Sequence, residues 1–547
     1  MKYVLVVCLL YNSLMYSIPY KHLLMQMPPE HREIRENTFS WSETNDFGKP
    51  YTSILGQKDV NNSVNSSGSM KLISQAGRYY LSEDMHISPS QTGVTCLKIT
   101  TSNVVIDLRG YSIMGNTATG SGMVGIEIAN NLANVSIVNG SVLALNGIGI
   151  KINSGCNNIF IGNMLISNCT TMGIFLDTIT DAYIDDIAIN KCDGSNAAAL
   201  GAIGLKLSTC DRIYVRNSHF DGNQAAATGD AMGVYCTSSS NCEFLNCSAT
   251  QNKSGSDAGD VVYGFYIVGA SNNIILKNCV ADKNESQDGK AYGFYITNTN
   301  ALYMQDCLAL GNIAGGSTST NSCIGFGISG DGACFLENCI ATRNTGSQNV
   351  YGFWLYQTNF NCLSKCQARN QTTTSISAVD VYGYYTTGGK GNTFSHCVAF
   401  GNVSGSHTSS NGVGFGFDGG EQYSNIISCD IRANNGSGGI GYGIWLNDAT
   451  YCTVRANEIF VNIGDTNGYG IKDDATSSVS CYFENFAYSN GKSNGLIINN
   501  YDVILSPNDS YSNFPVQTAY LTDFSTLKQA NQYDNVEFLE RTITSSL

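Results

Sequence analysis

Three charged side chains share one repeat surface in this 547-residue chain and could do chemistry together. Lys151 and Lys206 occupy the outward third position of a Gly-apolar-x-apolar motif, and Asp177 the outward fifth position of the copy between them. If the copies stack, the lysines lie about 10 Å apart with the carboxylate between them. A cation there can hold the carboxylate of a uronic acid while a base removes its α-proton, the chemistry of a polysaccharide lyase. The competing reading is a solvated, ion-paired face, which surface charges form cheaply.

Further along, the same outward position reads Tyr235, Tyr266, Tyr295, Trp354, Tyr385 and Trp445. Two of the chain's three tryptophans lie on this line. The outward face of a strand is ordinarily polar, and a contiguous apolar stripe on a soluble rod marks an interaction site. Flat rings with polar rims suit sugars, whose C–H faces pack on aromatic faces while hydroxyls meet Asn, Ser and Thr. The motif glycine leaves the neighbouring outward site empty, so the rings are expected to lie flat and open. The alternative is that loops cover this sheet, or that the rings stabilise it by cross-strand pairing.

These positions depend on a repeat. Thirteen Gly-apolar-x-apolar copies run from Gly125 to Gly470 at spacings of 24–32 residues. A second apolar alternation follows each, as in Asn272–Asn278, and then a tight segment such as NCVADKN (278–284). Such a period means a solenoid. Three short strands per coil without helical periodicity means an all-β parallel β-helix. Alternation turns Phe265, Phe294, Phe326, Phe353, Tyr384 and Phe415 inward as an aromatic ladder. Cys247, Cys279, Cys307, Cys339, Cys366, Cys397 and Cys429 form another. In-register cysteines about 4.8 Å apart have parallel Cβ vectors, so these are read as free buried thiols. Cys236 and Cys242, off that ladder, are left open to disulfide formation. The asparagines flanking the cysteines are placed at bends, with amides stacked along the rod.

ISQAGRYYLSEDM (73–85) and NVVIDLRGYSI (103–113) resemble the opening of right-handed parallel β-helix proteins of the pectin-lyase-like superfamily, in particular its carbohydrate-binding and sugar-hydrolase repeat group. The resemblance covers residues 70–500 and implies the right-handed fold; it does not fix an activity. Asp185–Asp186 invites comparison with the paired aspartates of polygalacturonases. However, Gly-His-Gly and Arg-Ile-Lys are absent, and adjacent strand residues face opposite sides. Asp473–Asp474 fails on the same ground. No catalytic role is carried over to either pair. The six histidines are scattered and no CxxC pair occurs, so neither a metal site nor a cofactor is expected.

Residues 1–20 read as a signal peptide, with Lys2 before an apolar run. Residues 21–69 read as a polar arm, 70–500 as the β-helix, and 501–547 as a tail with a short helix in LKQANQYDNVEFLERT (527–542). No other stretch has the apolar length of a membrane span. Forty-three acidic against 29 basic residues give a net charge of −14, which argues against nucleic-acid partners. The expected function is a secreted or cell-surface protein binding a glycan along the aromatic stripe. The alternatives are a polysaccharide lyase or glycoside hydrolase, and a structural or adhesive rod binding a surface protein.

Overall fold

The computed structural model describes residues 52–54, 69–87, 93–115, 122–194, 201–225, 229–257, 259–316, 321–330, 332–474, 480–483, 485–488, 490–492 and 503–504. The signal-peptide and terminal-helix readings lie outside these residues. The chain divides into Met1–Tyr51 and Thr52–Leu547, and the described fold belongs to the second unit.

That unit is a parallel β-helix. Each glycine-motif strand pairs in parallel with its counterpart one coil on, from Met123–Ile128 through Ile440–Leu446 to Asn467–Asp473. The second and third strands repeat the pattern, as in Leu336↔Leu363 and Ala341↔Ala368. Thr52–Ile54 pairs with Tyr79–Leu81, inside the segment read as an arm, and Val503–Ile504 pairs with Ile471–Lys472.

The interior is built from stacked identical side chains. Phe265, Phe294, Phe326, Phe353, Tyr384 and Phe415 are fully buried, with centroids 4.3–4.9 Å apart and planes within 7°. The spacing is set by the coil rise, so each ring packs on the next without leaving a void. The cysteine ladder is buried and free, and each thiol leans on a carbonyl, as Cys279 Sγ does on Phe244 O at 3.4 Å. Cys236 and Cys242 are also free.

A second interior ladder is polar. Asn252, Asn284, Asn312 and Asn344, then Gln371, Asn402 and Asn434, are buried one per coil. Asn312 Nδ2 donates to Asn344 Oδ1 (2.9 Å) and to Ala281 O (3.2 Å), and the Asn312 backbone N–H also reaches Asn344 Oδ1 (3.1 Å). Every rung therefore satisfies backbone groups at a bend where the strand ladder is broken, which buried amides require.

A buried carboxylate, Glu421, lies at a different bend, between the first and second strands. Glu421 accepts from Thr386 Oγ1, Gly389 N and Asn392 Nδ2, each at 2.8 Å, and from Ser424 Oγ. Burial pushes its pKa up, and the four donors offset this only in part. The folded-state value therefore lies above the unfolded one. Its contribution to stability is full below the ordinary glutamate pKa and is lost as pH rises through the raised value. Urea midpoints measured between about pH 4 and pH 8 should fall with rising pH more steeply for the wild-type protein than for Glu421→Gln. Equal slopes would show that Glu421 does not carry this linkage.

Candidate functional site

The motif glycine decides which residues face outward. A Cβ on Gly264 would point into the rod, 2.5 Å from Gly293 O, 2.7 Å from Ala281 Cβ and 3.1 Å from Asn284 Nδ2. The glycine is therefore the inside of a bend pressed against the alanine and asparagine ladders. It does not clear space outside, contrary to the expectation above. Around that bend the residues on both sides of Gly-Phe turn outward. Tyr263 and Tyr266 then meet on the outer side of the strand, with centroids 4.3 Å apart and planes 9° apart.

The outer face thus carries two aromatic columns. The first comprises Tyr263, Tyr292, Tyr351, Tyr382, Tyr442 and Tyr469, and alternation counted from the glycine missed it. Five of these six are buried, and Tyr351 is half-buried. The second contains Tyr235, Tyr266, Tyr295, Trp354, Tyr385 and Trp445, all half-buried and aligned through the parallel register. Rings stack between coils as well as within them: Tyr235–Tyr266 at 5.2 Å and Tyr266–Tyr295 at 5.6 Å. Centroids this close at small interplanar angles belong to overlapping rings, so the stripe is shingled rather than laid flat.

Two glycines interrupt the second column, and neighbouring rings fill the space. A Cβ on Gly327 would lie 2.9 Å from Tyr295 Cδ2, and one on Gly416 would lie 2.8 Å from Tyr382 Cε1. The rings there tilt, with Tyr292–Tyr295 at 33° and Tyr382–Tyr385 at 47°.

Polar rows flank the rings. Two residues beyond the second column run Asp177, Ser208, Thr237, Val268, Thr297 and Ser329, then Tyr356, Thr387 and Asp418. Tyr385 Oη donates to Asp418 Oδ2 (3.0 Å), and Trp445 Nε1 donates to Asp474 Oδ2 (3.0 Å). On the other side Tyr382 Oη donates to Asp380 Oδ2 (3.0 Å), and Asn349 Nδ2 donates to Tyr351 Oη (3.1 Å). Burial raises the phenol pKa of both Tyr266 and Tyr351 to about 12, so these rings stay neutral across ordinary pH.

Toward the N-terminal end the same column reads Lys98, Glu127, Lys151, Phe175 and Lys206. Phe175 stands between Lys151 and Lys206, and Asp177 lies two residues to the side, level with Ser208. Lys206 Nζ sits 5.2 Å from the Phe175 centroid and 5.4 Å from that of Tyr235. Burial lowers the Lys206 pKa, against the opposing charge of Asp177. Burial alone would raise Glu127, but hydrogen bonds from Thr95 and Asn153, with the charges of Lys98 and Lys151, hold its carboxyl below the usual range. Glu127, which sequence reasoning passed over, lies 3.5 Å from Lys98 Nζ.

The two rejected aspartate pairs behave differently. Asp473 is buried while Asp474 is on the surface, as alternation requires. Asp186 is exposed at a corner with φ 53°, so Asp185 and Asp186 do not obey strand alternation. Asp185 is held by Asn217 Nδ2 at 3.0 Å. Among the described residues no three His, Cys, Asp or Glu converge as a metal site, and no helix is long and apolar enough to cross a membrane.

Residues 189–327 match the family model described as the right handed beta helix region. Together with the coil-by-coil parallel register, this gives the chain the right-handed parallel β-helix fold that its resemblance to the pectin-lyase-like superfamily implies. None of the curated proteins matches it. Several solved structures are similar. The periplasmic alginate epimerase AlgG shares 10% identity over 73% of this chain and 82% of its own, with TM-score 0.31. The A-module of the Azotobacter vinelandii mannuronan C-5 epimerase AlgE4 shares 13% over 83% and 94%, with TM-score 0.33. The DFA-IIIase of Arthrobacter chlorophenolicus A6 shares 10% over 62% and 88%, with TM-score 0.33. These likenesses are of architecture alone.

Proposed function

We propose that this chain is an exported or cell-surface protein that binds a polysaccharide along the outer face of its first strands. One observation carries the reading. Half-buried rings line the outer face between polar rows, broken at Gly327 and Gly416, with ring hydroxyls and an indole N–H already hydrogen-bonded to the rims. Such a surface offers apolar C–H contact and hydroxyl partners in most coils, at a repeat of about 4.8 Å. It suits a linear ligand lying along the rod. Catalysis by Lys151, Asp177 and Lys206 has less support, because Phe175 separates the lysines.

The test is affinity electrophoresis of the full chain through gels containing a panel of polysaccharides, beside a Trp354→Ala/Trp445→Ala variant. Retardation on at least one polymer is expected, weakened at least about tenfold in the variant. Retardation on none would remove the glycan reading. Concentration-dependent self-association or capture of a surface protein would then favour the adhesive rod.

A further inference from the structure

The corner between the first and second strands carries a second, separate aromatic row. Its backbone is left-handed in nearly every coil. In the N-terminal half the position is mostly asparagine, as at Asn103, Asn134, Asn158, Asn241 and Asn273, with φ between 51° and 62°. Asparagine is among the few residues that accept this conformation readily. Its amides ladder along the rod, Asn134 onto Asn103 at 2.8 Å and Asn273 onto Asn241 at 3.0 Å.

In the C-terminal half the same column reads Phe360, Gly391, Tyr423 and Tyr451. The three rings sit at φ 58°, 55° and 58°. Bulky residues are disfavoured in this region relative to asparagine. Core packing does not account for the rings, since the residues are 55%, 41% and 48% exposed. The Phe360 ring lies across Gly391, where a Cβ would come within 2.8 Å of its Cδ1. Tyr423 and Tyr451 stack at 4.9 Å with planes 8° apart.

The neighbouring column, one residue earlier, reads Asn359, Lys390, Gln422 and Thr450 in consecutive coils. It has an ammonium, two amides and a hydroxyl, and no carboxylate. Lys390 is exposed, with Nζ 5.2 Å from the Tyr423 centroid. In a chain of net charge −14 this column presents one exposed ammonium and three hydrogen-bonding side chains beside exposed rings.

We infer that Phe360, Tyr423 and Tyr451, with Lys390, form a second glycan subsite that takes a carboxylate-bearing polysaccharide. Sugar C–H faces meet the rings, hydroxyls meet Gln422 and Thr450, and the carboxylate meets Lys390. The subsite lies on different coil positions from the stripe and does not depend on it.

The experiment compares four full-length proteins on gels containing polygalacturonate, alginate or neutral dextran: wild type, Tyr423→Asn/Tyr451→Asn, Lys390→Gln and Trp354→Ala/Trp445→Ala. Asparagine suits the left-handed corner, so the tyrosine variant should melt at or above the wild-type temperature. It should also bind a carboxylated gel at least about tenfold more weakly. Lys390→Gln should weaken binding to the carboxylated gel and leave dextran mobility unchanged. A lowered melting temperature would make the rings structural and overturn the inference. So would wild-type retardation by the tyrosine variant, or no wild-type retardation on any carboxylated gel. If only the tryptophan variant loses binding, the stripe stands and the corner subsite falls.

Discussion

Asn312→Leu should unfold at a markedly lower urea concentration than the wild-type protein, with a loss of about 3 kcal/mol or more. Asn312 Oδ1 accepts from the Asn284 backbone N–H (3.1 Å) and from Asn284 Nδ2 (2.9 Å). Leucine deletes that acceptor and also the donors to Asn344 Oδ1 and Ala281 O. The orphaned Asn284 N–H stays at a fully buried bend that water does not reach. An unpaired buried donor costs its whole desolvation penalty, whereas a hydrogen bond formed gives only a modest net gain. Asn312→Gln should cost much less, because Gln371 already fills one rung, accepting from Asn344 Nδ2 at 3.0 Å. Equal loss in both variants would mean that shape, not hydrogen bonding, holds the ladder.

The second large effect is expected at Gly264. An alanine methyl there would have to sit 2.5 Å from Gly293 O and 2.7 Å from Ala281 Cβ. Neither is the free end of a flexible side chain. Tyr263 and Phe265 on either side pair in register with Tyr292 and Phe294, so relief would have to break the coil stacking. Overpacking a filled core costs about 1–3 kcal/mol, and occasionally more. Gly264→Ala should therefore lower the urea midpoint clearly. Ala281→Gly combined with it should recover part of the loss by removing one of the two contacts. If the double variant is no more stable than the single, the carbonyl contact dominates.

Much of the fold was legible because stacking copies one side chain from coil to coil. The Cys247-to-Cys429 column keeps cysteine and the Phe265-to-Phe415 column keeps an aromatic ring, with Tyr384 in one coil, and alternation placed both inside. The outer face was legible only in part. Counting faces from the glycine assumed an unbroken strand, and the bend there hid the Tyr263 column that lies against the stripe. A signal was present, since tyrosine precedes the motif glycine at 263, 292, 351, 382, 442 and 469. The corner rings had no such signal. Phe360, Tyr423 and Tyr451 join one column only once loop lengths are resolved into register. Lys151, Asp177 and Lys206 share the expected face, and the GIFL copy at Gly173 already places Phe175 in the same outward position between the two lysines.

The central claim is that a polysaccharide lies on the first-strand face. Tryptophan fluorescence tests it most directly, because Trp354 and Trp445 both sit in that stripe and Trp41 is the one other tryptophan. Acrylamide quenching should be measured with and without a polymer that retards the protein, and the Trp354→Ala/Trp445→Ala variant supplies the Trp41 baseline. The account predicts that saturating polymer lowers the quenching constant of the wild-type protein and leaves that of the variant unchanged. A retarding polymer that leaves wild-type quenching unaltered would place the glycan elsewhere and contradict the account.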